Sequence, residues 1–345
     1  MRLIQFSLGA KGRRIGYIED DKIVDLTSVN KNWRYIHTLF QEARRHRRTI
    51  SLYLADVSTR NADVVPYSEL LKARKGDANG WILPPLDHPD PNHCLISGTG
   101  LTHMGSMEKR AEMHIADHEE TESDKTDSEK MFEMGLKGGK PDAGVRGVQP
   151  EWFYKGTGVF LRGHNDFLDI PDFTEDGGEE PEIVGCYVID DDGIPCRIGF
   201  AIGNEWADHP MERENYLWLA PSKMRVCAVG PELITDRDFN DIEGSCRITR
   251  GEELLYHSGK LLTGESHMSH SLANLEDHHF KYSHFRHPGD VHIHFFGTMK
   301  LAFPNRPTFQ TGDRIEISFD GMGAPLVNYS RQIPVSKTPV MVETG

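Results

Sequence analysis

The sequence predicts a strand-rich α+β protein, a rolled or sandwiched sheet structure preceded by a small N-terminal α/β domain. From residue 94 onward, short apolar runs such as EIVGCYVI, CRIGFAIG and DVHIHFF alternate with turns that contain Gly or Asp. This pattern is typical of rolled or sandwiched sheets. Long helical patterns are scarce, and the 37% hydrophobic and 27% charged residues are an ordinary globular mixture. The 345 residues provide room for two domains or for one large domain with an extension.

The N-terminal region reads as a β-meander followed by a helix. The runs RLIQFSL, RRIGYIE and KIVDLT are separated by turn signals at residues 9–12 and 20–21. WRYIHTLFQEARRH then places Ile36, Leu39 and Phe40 on one side of a helix. The Pro-rich stretch ILPPLDHPDPNHC is typical of a linker. We therefore predict an N-terminal domain with its linker over residues 1–90 and a catalytic domain over residues 91–335.

A polar insertion interrupts the second domain between residues 105 and 140. Its first part is rich in helix-forming residues, and it closes near Gly138 and Gly139. Because it lies beside His103, we predict a lid that orders over a bound substrate and excludes water.

The charge balance and the cysteine pattern limit the function classes. Lys and Arg number 39 against 53 Asp and Glu, a net charge of −14. An acidic chain argues against nucleic acid, which needs a concentrated basic face. Five cysteines without C-x-x-C spacing fit a reducing compartment. With no signal-peptide pattern and no apolar run of about 18 residues, the sequence predicts a cytoplasmic protein that does not bind a membrane.

The most informative residues are Glu180 and Glu182, in EEPEIVGCYVI at the start of an apolar run. Residues i and i+2 of a strand point to the same side, so the two carboxylates would share one space. A hard divalent cation, Mg²⁺ or Ca²⁺, resolves their repulsion, and Glu205 at the end of the next apolar run supplies a third oxygen ligand. The alternative is a pair of solvated glutamates in an acidic loop, since acidic residues also stand just upstream.

Several further segments stand in a characteristic order. LISGTGLTHMGSMEKR holds His103 and Glu108, WFYKGTG holds Lys155, and APSKMRVCAVGP holds Lys223. TGESHMSHSL, HPGDVHIHFFGT and GDRIEISFDGMGAPLVN follow. With EEPE and GNEW, this set resembles the fumarylacetoacetate hydrolase family over roughly residues 88 to 330, and within it a branch of sugar-acid proteins, the 2-keto-3-deoxyarabinonate dehydratases. The family's usual N-D is N-E here, and its N-Y pair is absent.

The resemblance implies that family's mixed β-sandwich roll and a set of site residues. It implies Glu180, Glu182 and Glu205 as ligands of Mg²⁺, with Ca²⁺ or Mn²⁺ as substitutes, and Lys223 as a cation facing the chelated acid. A His103–Glu108 pair would move a proton through a water. The substrate would contact Lys155, Ser266, Gly297 and Thr298. Lys155 could instead extend over its aromatic neighbours, and Lys223 could be a surface lysine.

The implied chemistry begins with a 2-oxo acid chelated through its carboxylate and its ketone. The ion stabilises the enolate that follows loss of a C3 proton. A hydroxyl on C4 then leads to dehydration of a 2-keto-3-deoxypentonate such as the arabinonate. A ketone on C4 leads instead to C–C hydrolysis of an acylpyruvate, and a non-catalytic sugar-acid binding protein is a third reading. We predict the dehydratase, as a homodimer or higher homo-oligomer.

The remaining histidine pattern, His292 and His294 in DVHIHFF, is an H-x-H pair on one strand. Such a pair can bind zinc, but a third ligand is not apparent nearby in the sequence. We therefore expect both side chains to face a polar or inter-subunit surface.

Overall fold

Two β-sheets form the body of the protein. The computed structural model describes residues 1–105, 126–303, 305–335 and 338–345. Over these residues the sheets contain 12 and 6 strands, and only short helices surround them. The predicted strand-rich α+β class is confirmed.

The strands of both sheets are short and are numbered in chain order. They are β1 Arg2–Ser7, β2 Arg13–Glu19, β3 Lys22–Asp25, β4 Asp63–Pro66, β5 Trp81–Ile82, β6 Cys94–Gly98, β7 Phe153–Thr157, β8 Leu161–Arg162, β9 Phe167–Pro171, β10 Pro181–Ile189, β11 Pro195–Asn204, β12 Cys227–Ile234, β13 Ile242–Arg250, β14 Glu253–His257, β15 Leu261–Thr263, β16 Val291–Phe295, β17 Arg314–Phe319 and β18 Leu326–Ile333.

The α-helices are short, and polar side chains cap several of their first turns. Thr126 and Glu129 form a reciprocal capping box at the start of the longest one, and Asp208 caps another. In the described part of the chain they are α1 Leu26–Val29, α2 Ile36–Arg45, α3 Ile50–Ala55, α4 Tyr67–Leu70, α5 Asp127–Gly138, α6 His209–Glu214, α7 Leu219–Lys223 and α8 Leu272–Phe280.

The N-terminal meander is part of the larger sheet. Strand order there is β4-β3-β2-β1-β12-β11-β10-β16-β6-β7, with β5 on β1 and β8 on β12. β1 pairs antiparallel with β12, where Leu3 faces Leu233. The three predicted N-terminal strands and the helix after them are present. The strands join the later part of the chain through the backbone hydrogen bonds between β1 and β12. The division of the chain at residue 90 stays a prediction.

β10 lies at the centre of the molecule, with all nine of its residues buried. Its alternate side chains enter two different cores, as the period of a strand requires. Ile183 and Tyr187 pack between the two sheets, whereas Val184 and Cys186 pack beneath the N-terminal helices. The smaller sheet, in the order β14-β13-β17-β18-β9 with β15 on β13, covers the first of these faces. The side chains of β10 are therefore packed against a core on each face of the strand.

The polar insertion is only partly within the described residues. Residues 106–125 lie outside them, and with them Glu108. α5 forms the rest of the insertion, and a side chain added at Gly135 would meet His270 and Ser269. The Ser269 amide donates to the Thr102 carbonyl at 2.8 Å. The described part of the insertion thus packs on the loop that contacts the residue before His103.

Candidate active site and metal centre

Three buried carboxylates, those of Glu180, Glu182 and Glu205, meet at one end of the β10–β11 pair. Pro181 faces Asn204 in the antiparallel register, so the residues that flank this pair come together. The Glu205 amide donates to the Glu180 carbonyl at 3.0 Å. One oxygen of each carboxylate lies within 4.8 Å of the other two. These are the three residues that the sequence predicts as ligands, and they form a group able to hold a divalent cation.

Two fully buried lysines contact these carboxylates. Lys223 Nζ, at the end of α7, lies 2.5 Å from Glu180 Oε1 and 2.6 Å from Glu205 Oε2. Lys155 Nζ, on β7, lies 2.5 Å from Glu205 Oε1. Both lysine side chains are 0% exposed, so neither is a surface lysine and Lys155 does not extend over its aromatic neighbours to solvent.

Lys155 has its donors committed within the protein. Besides Glu205, its ammonium donates to the Trp206 carbonyl at 2.5 Å and to the Lys223 carbonyl at 2.8 Å. An ammonium has three N–H groups, and three acceptors are therefore already present. In this structure Lys155 positions Glu205 and the end of α7. A direct contact between Lys155 and a substrate stays a prediction.

The charge balance of the site fits a cation. When all are ionised, these three carboxylates, the nearby buried Glu212 and the two ammonium groups sum to two negative charges in a region from which water is excluded. Burial, and then the charges of Glu180 and Glu205, raise the pKa of Glu182 well above its ordinary value. Burial likewise raises the pKa of Glu205. A divalent ion with oxygen ligands would offset both the repulsion and the desolvation.

His209 and Glu212, both on α6, belong to the same site although no sequence motif singles them out. His209 Nε2 lies 3.0 Å from Glu180 Oε1, and Glu212 Oε1 lies 3.5 Å from Lys223 Nζ. Glu212 also accepts from the Ser222 hydroxyl at 2.7 Å. The signal that could locate them is the helix start at Asp208, a capping residue followed by Pro210. That signal marks a helix, but not its contact with the carboxylates.

From Asp176 onward the acidic loop before β10 is buried, in contrast to the solvated alternative, whereas Glu175 is exposed. Arg306 lies 3.0 Å from Asp176 and 3.5 Å from Glu179, with all three side chains at most 6% exposed. The other Glu179 oxygen accepts from the Ala302 amide at 2.8 Å. These contacts fix the loop that leads into Glu180.

His103 lies in a buried loop after β6 and contacts hydroxyl groups. Its Nδ1 is 2.9 Å from Thr102 Oγ1 and its Nε2 is 3.1 Å from Thr263 Oγ1. Burial, and then the charge of His267, lower the pKa of His103 to about 3, so the imidazole is neutral at neutral pH. Since Glu108 lies outside the described residues, the His103–Glu108 pair stays a prediction.

Gly297 connects the His103 loop to the carboxylates. Its amide donates to Glu182 Oε2 at 2.7 Å, so its one N–H is used within the site. Its φ is +96°, and a side chain there would collide with the Thr102 hydroxyl, so the position requires glycine. Thr298 donates its hydroxyl to the Lys300 carbonyl at 3.0 Å, and the exposed Ser266 donates to Asn240 at 3.0 Å. The predicted substrate contacts of Gly297, Thr298 and Ser266 stay predictions.

Comparisons with known proteins show that the chain is similar to sugar-acid dehydratases. A probable 2-keto-3-deoxyxylonate dehydratase of Haloferax volcanii is 25% identical over 321 residues, which cover 90% of this chain and 93% of that protein. A 2-keto-3-deoxy-D-arabinonate dehydratase, solved with magnesium and 2,5-dioxopentanoate, superimposes with a TM-score of 0.68 at 19% identity, covering 97% and 100% of the two chains. The expected resemblance to these dehydratases is confirmed.

The wider family has the same fold. A fumarylacetoacetate hydrolase from Exiguobacterium antarcticum superimposes with a TM-score of 0.59 at 17% identity, covering 96% of this chain and 100% of the other. No family model matches the sequence. The fold of this protein is thus the mixed β-sandwich roll implied by the resemblance.

The H-x-H pair on β16 differs from its expectation. His292 and His294 are both 0% exposed, and they face the interior instead of a polar or inter-subunit surface. His292 Nδ1 lies 3.0 Å from His279 Nε2, and His294 Nδ1 lies 2.8 Å from Ser97 Oγ. Side chains of α8 cover this face of β16, and Ser97 lies beside it on the neighbouring strand β6, which sequence alternation alone does not reveal.

Proposed function

We propose that the protein is a magnesium-dependent dehydratase of 2-keto-3-deoxy sugar acids. The observation that carries this proposal is the group of three buried carboxylates, Glu180, Glu182 and Glu205, in contact with the fully buried Lys155 and Lys223. The similarity to the Haloferax dehydratase over 90% of the chain supports the same reaction class.

The reaction needs a positive site for an anionic substrate. The three carboxylates would hold Mg²⁺, which when bound polarises a 2-keto group and stabilises the negative charge that develops on its oxygen. Lys223 would add a positive charge beside that oxygen, since its ammonium already lies between Glu180 and Glu205. Glu212 and Ser222 would keep Lys223 in place from the other side.

The atoms of the proposed reaction balance without a further reactant. Loss of the C3 proton and of the C4 hydroxyl gives an unsaturated keto acid and water. Starting from a 2-keto-3-deoxypentonate, a proton shift from C5 to C3 then gives the C4–C5 enol, and transfer of its O5 proton to C4 gives 2,5-dioxopentanoate. We assign the proton transfers to His103, because its loop lies at Thr99 and Thr102 against Gly297, whose amide donates to Glu182. The two dehydratase relatives act on five-carbon acids by name, which supports a pentonate substrate.

We also propose that the protein is a cytoplasmic homo-oligomer. All five cysteines are free, as in reducing compartments. Apolar side chains near α7 are exposed, with Leu217 at 88% and Met224 at 56%, which supports a protein contact there. Among the described residues, the helices are all too short or too polar to cross a bilayer. Light scattering of the purified protein tests the oligomeric state.

The experiment that tests the function is a product assay with Mg²⁺. Purified protein is incubated with 2-keto-3-deoxypentonates and, in parallel, with acylpyruvates. We expect a 2-oxo semialdehyde from the pentonates, loss of the activity with EDTA, and only a trace of pyruvate from acylpyruvates. Robust pyruvate release without semialdehyde would establish instead the C–C hydrolase, which the shared fold with fumarylacetoacetate hydrolase makes the second candidate.

A further inference from the structure

A second group of metal-binding side chains lies at the opposite end of β16 from Gly297. It consists of His93, His287 and Asp290, whose ligand atoms all lie within 4.8 Å of one another. We propose that these three residues form a binding site for Zn²⁺, separate from the carboxylate site. The proposal does not depend on the function of the carboxylate site.

The fold places two of the three ligands side by side. β6 and β16 are parallel, and Cys94 faces Val291 at their first pair. The residues immediately before this pair are His93 and Asp290, so the register of the sheet brings them together. His93 Nδ1 lies 2.7 Å from Asp290 Oδ1.

A tight turn supplies the third ligand. His287, Pro288, Gly289 and Asp290 form a four-residue turn in which the Asp290 amide donates to the His287 carbonyl at 3.1 Å. Gly289 has a φ of +90°, the conformation that a type II turn requires at its third position. The turn brings His287 Nδ1 to 3.6 Å from Asp290 Oδ1. Pro288 and Gly289 thus fix two ligands in one loop.

The donor set and its spacing suit zinc. Two imidazole nitrogens and one carboxylate oxygen are typical Zn²⁺ ligands, whereas Mg²⁺ prefers oxygen alone. Tetrahedral Zn²⁺ with bonds of about 2.0–2.1 Å holds its ligand atoms about 3.3 Å apart. The two separations of 2.7 and 3.6 Å bracket that value, so small side-chain rotations would complete the geometry. A water would occupy the fourth position.

Two residues of this group are accessible from solvent, and the third is buried and held in place. The side chains of His93 and His287 are 46% and 66% exposed, so an ion can reach them, whereas Asp290 is only 9% exposed. Asp290 is anchored because its carbonyl accepts from the Ile189 amide at 2.9 Å. This arrangement differs from a mobile surface ion pair, in which both partners are free to move.

A buried histidine next to the group is a second, independent observation. His37 on α2 is 5% exposed and faces the Gly289 backbone, and neither of its ring nitrogens forms a hydrogen bond of normal geometry within the described residues. Its ring packs edge-to-face on His88 at 4.8 Å, and the His88 ring lies 5.3 Å from that of His93. Burial of polar nitrogens without partners is costly, and a nearby ion or ordered water is a recognised reason for it. A bound ion would link the end of the Pro-rich segment before β6 to the turn before β16.

The site lies away from the carboxylates. β16 has five residues, which at about 3.3 Å each separate its two ends by roughly 16 Å. The His93 group precedes the strand, whereas Gly297, the neighbour of Glu182, follows it. Binding of zinc at one end can therefore be measured independently of magnesium at the other.

Zinc titration of the full-length protein in excess Mg²⁺ tests the proposal. Isothermal calorimetry and metal analysis after gel filtration should show one Zn²⁺ per chain for the wild type. His93→Ala and His287→Ala should each weaken zinc binding by about tenfold or more, since even indirect partners of a ligand are worth about 10–100-fold. His284→Ala changes an exposed histidine three residues from His287, and it should bind as the wild type does.

The outcomes are distinct. Because His287 is largely exposed, its replacement should leave the circular dichroism spectrum and the Mg²⁺-dependent activity unchanged, so a loss of zinc binding would not reflect unfolding. Absence of zinc binding in the wild type would overturn the proposal. Equal binding by the wild type, His93→Ala and His287→Ala would also overturn it, as would an equal loss in His284→Ala.

Discussion

Replacement of Lys155 tests whether this residue supports the site or binds the substrate. Lys155→Met keeps the length of the side chain and removes its charge and its three donors. Glu205 would lose the ammonium at 2.5 Å, and among the described residues Lys223 alone would remain as its cationic partner. The Trp206 and Lys223 carbonyls would lose the donor that they share. The variant therefore leaves a buried carboxylate poorly compensated.

The expected loss of stability follows from these contacts. Breaking a buried ion pair by removing one partner costs about 3–5 kcal/mol. The entropy of unfolding is about 2.1 cal/mol/K per residue, so a chain of 345 residues has about 0.7 kcal/mol/K in total. Lys155→Met should then lower Tm by about 4–7 °C. We expect this shift in differential scanning calorimetry without added metal.

Lys75→Met is the matched control for this measurement. Lys75 pairs with Asp166 at 3.8 Å, but its side chain is 66% exposed. Surface pairs of this kind contribute about 0–1 kcal/mol, so Tm should change by no more than about 1 °C. A Lys155→Met variant with the Tm of the wild type and an increased KM would refute the supporting role. That combination would make Lys155 a substrate ligand instead.

Three further predictions concern the metal, the base and the buried histidines. Glu182→Gln should lower Mg²⁺-dependent kcat by about 10²–10³-fold, as loss of a group that stabilises transition-state charge does. Its Tm without metal should stay the same or rise, because a buried charge is removed. Full EDTA-sensitive activity in this variant would contradict the ligand assignment. His103→Ala should lower kcat substantially but leave residual elimination from a 2-keto-3-deoxypentonate, and an unchanged kcat would exclude His103 as the base. Burial, and then the charge of His292, lower the pKa of His294 to about 3. Between about pH 6.5 and 3, therefore, His294 takes up a proton only in the unfolded state. The free energy of unfolding falls as the pH is lowered through that window. Between pH 7 and pH 5, His294 accounts for about 2 kcal/mol of this loss. In urea unfolding over the same pH change, His294→Gln should therefore lose less stability than the wild type. The exposed control His284→Gln should lose as much as the wild type.

The local sequence was sufficient to predict that three carboxylates meet in one place. Glu180 and Glu182 share one side because a strand alternates with a period of two, and this holds wherever the strand lies. Glu205 follows the next apolar run, and antiparallel pairing of consecutive runs brings the end of one beside the start of the other. The predicted ligands therefore needed only short-range rules and one hairpin-like pairing.

The role of each lysine depended on burial, which the sequence does not specify. In the sequence, Lys155 and Lys223 are lysines near aromatic or helical residues, and either could be exposed. The tertiary structure removes both from water and sets the acceptors around each ammonium. For Lys155 these acceptors include carbonyls of residues 206 and 223, which lie 51 and 68 positions away along the chain.

Contacts between distant elements account for what the sequence did not reveal. His209 reaches Glu180 only because α6 folds back over the start of β10. His93 and Asp290, 197 residues apart, meet because β6 and β16 are parallel neighbours. Periodicity reports which side chains share a face of one element, and it carries no information on which elements become neighbours. The sequence by itself thus determined the strand-rich class and the meeting of the three carboxylates, whereas the partners of those carboxylates and the second histidine group were decided by tertiary packing.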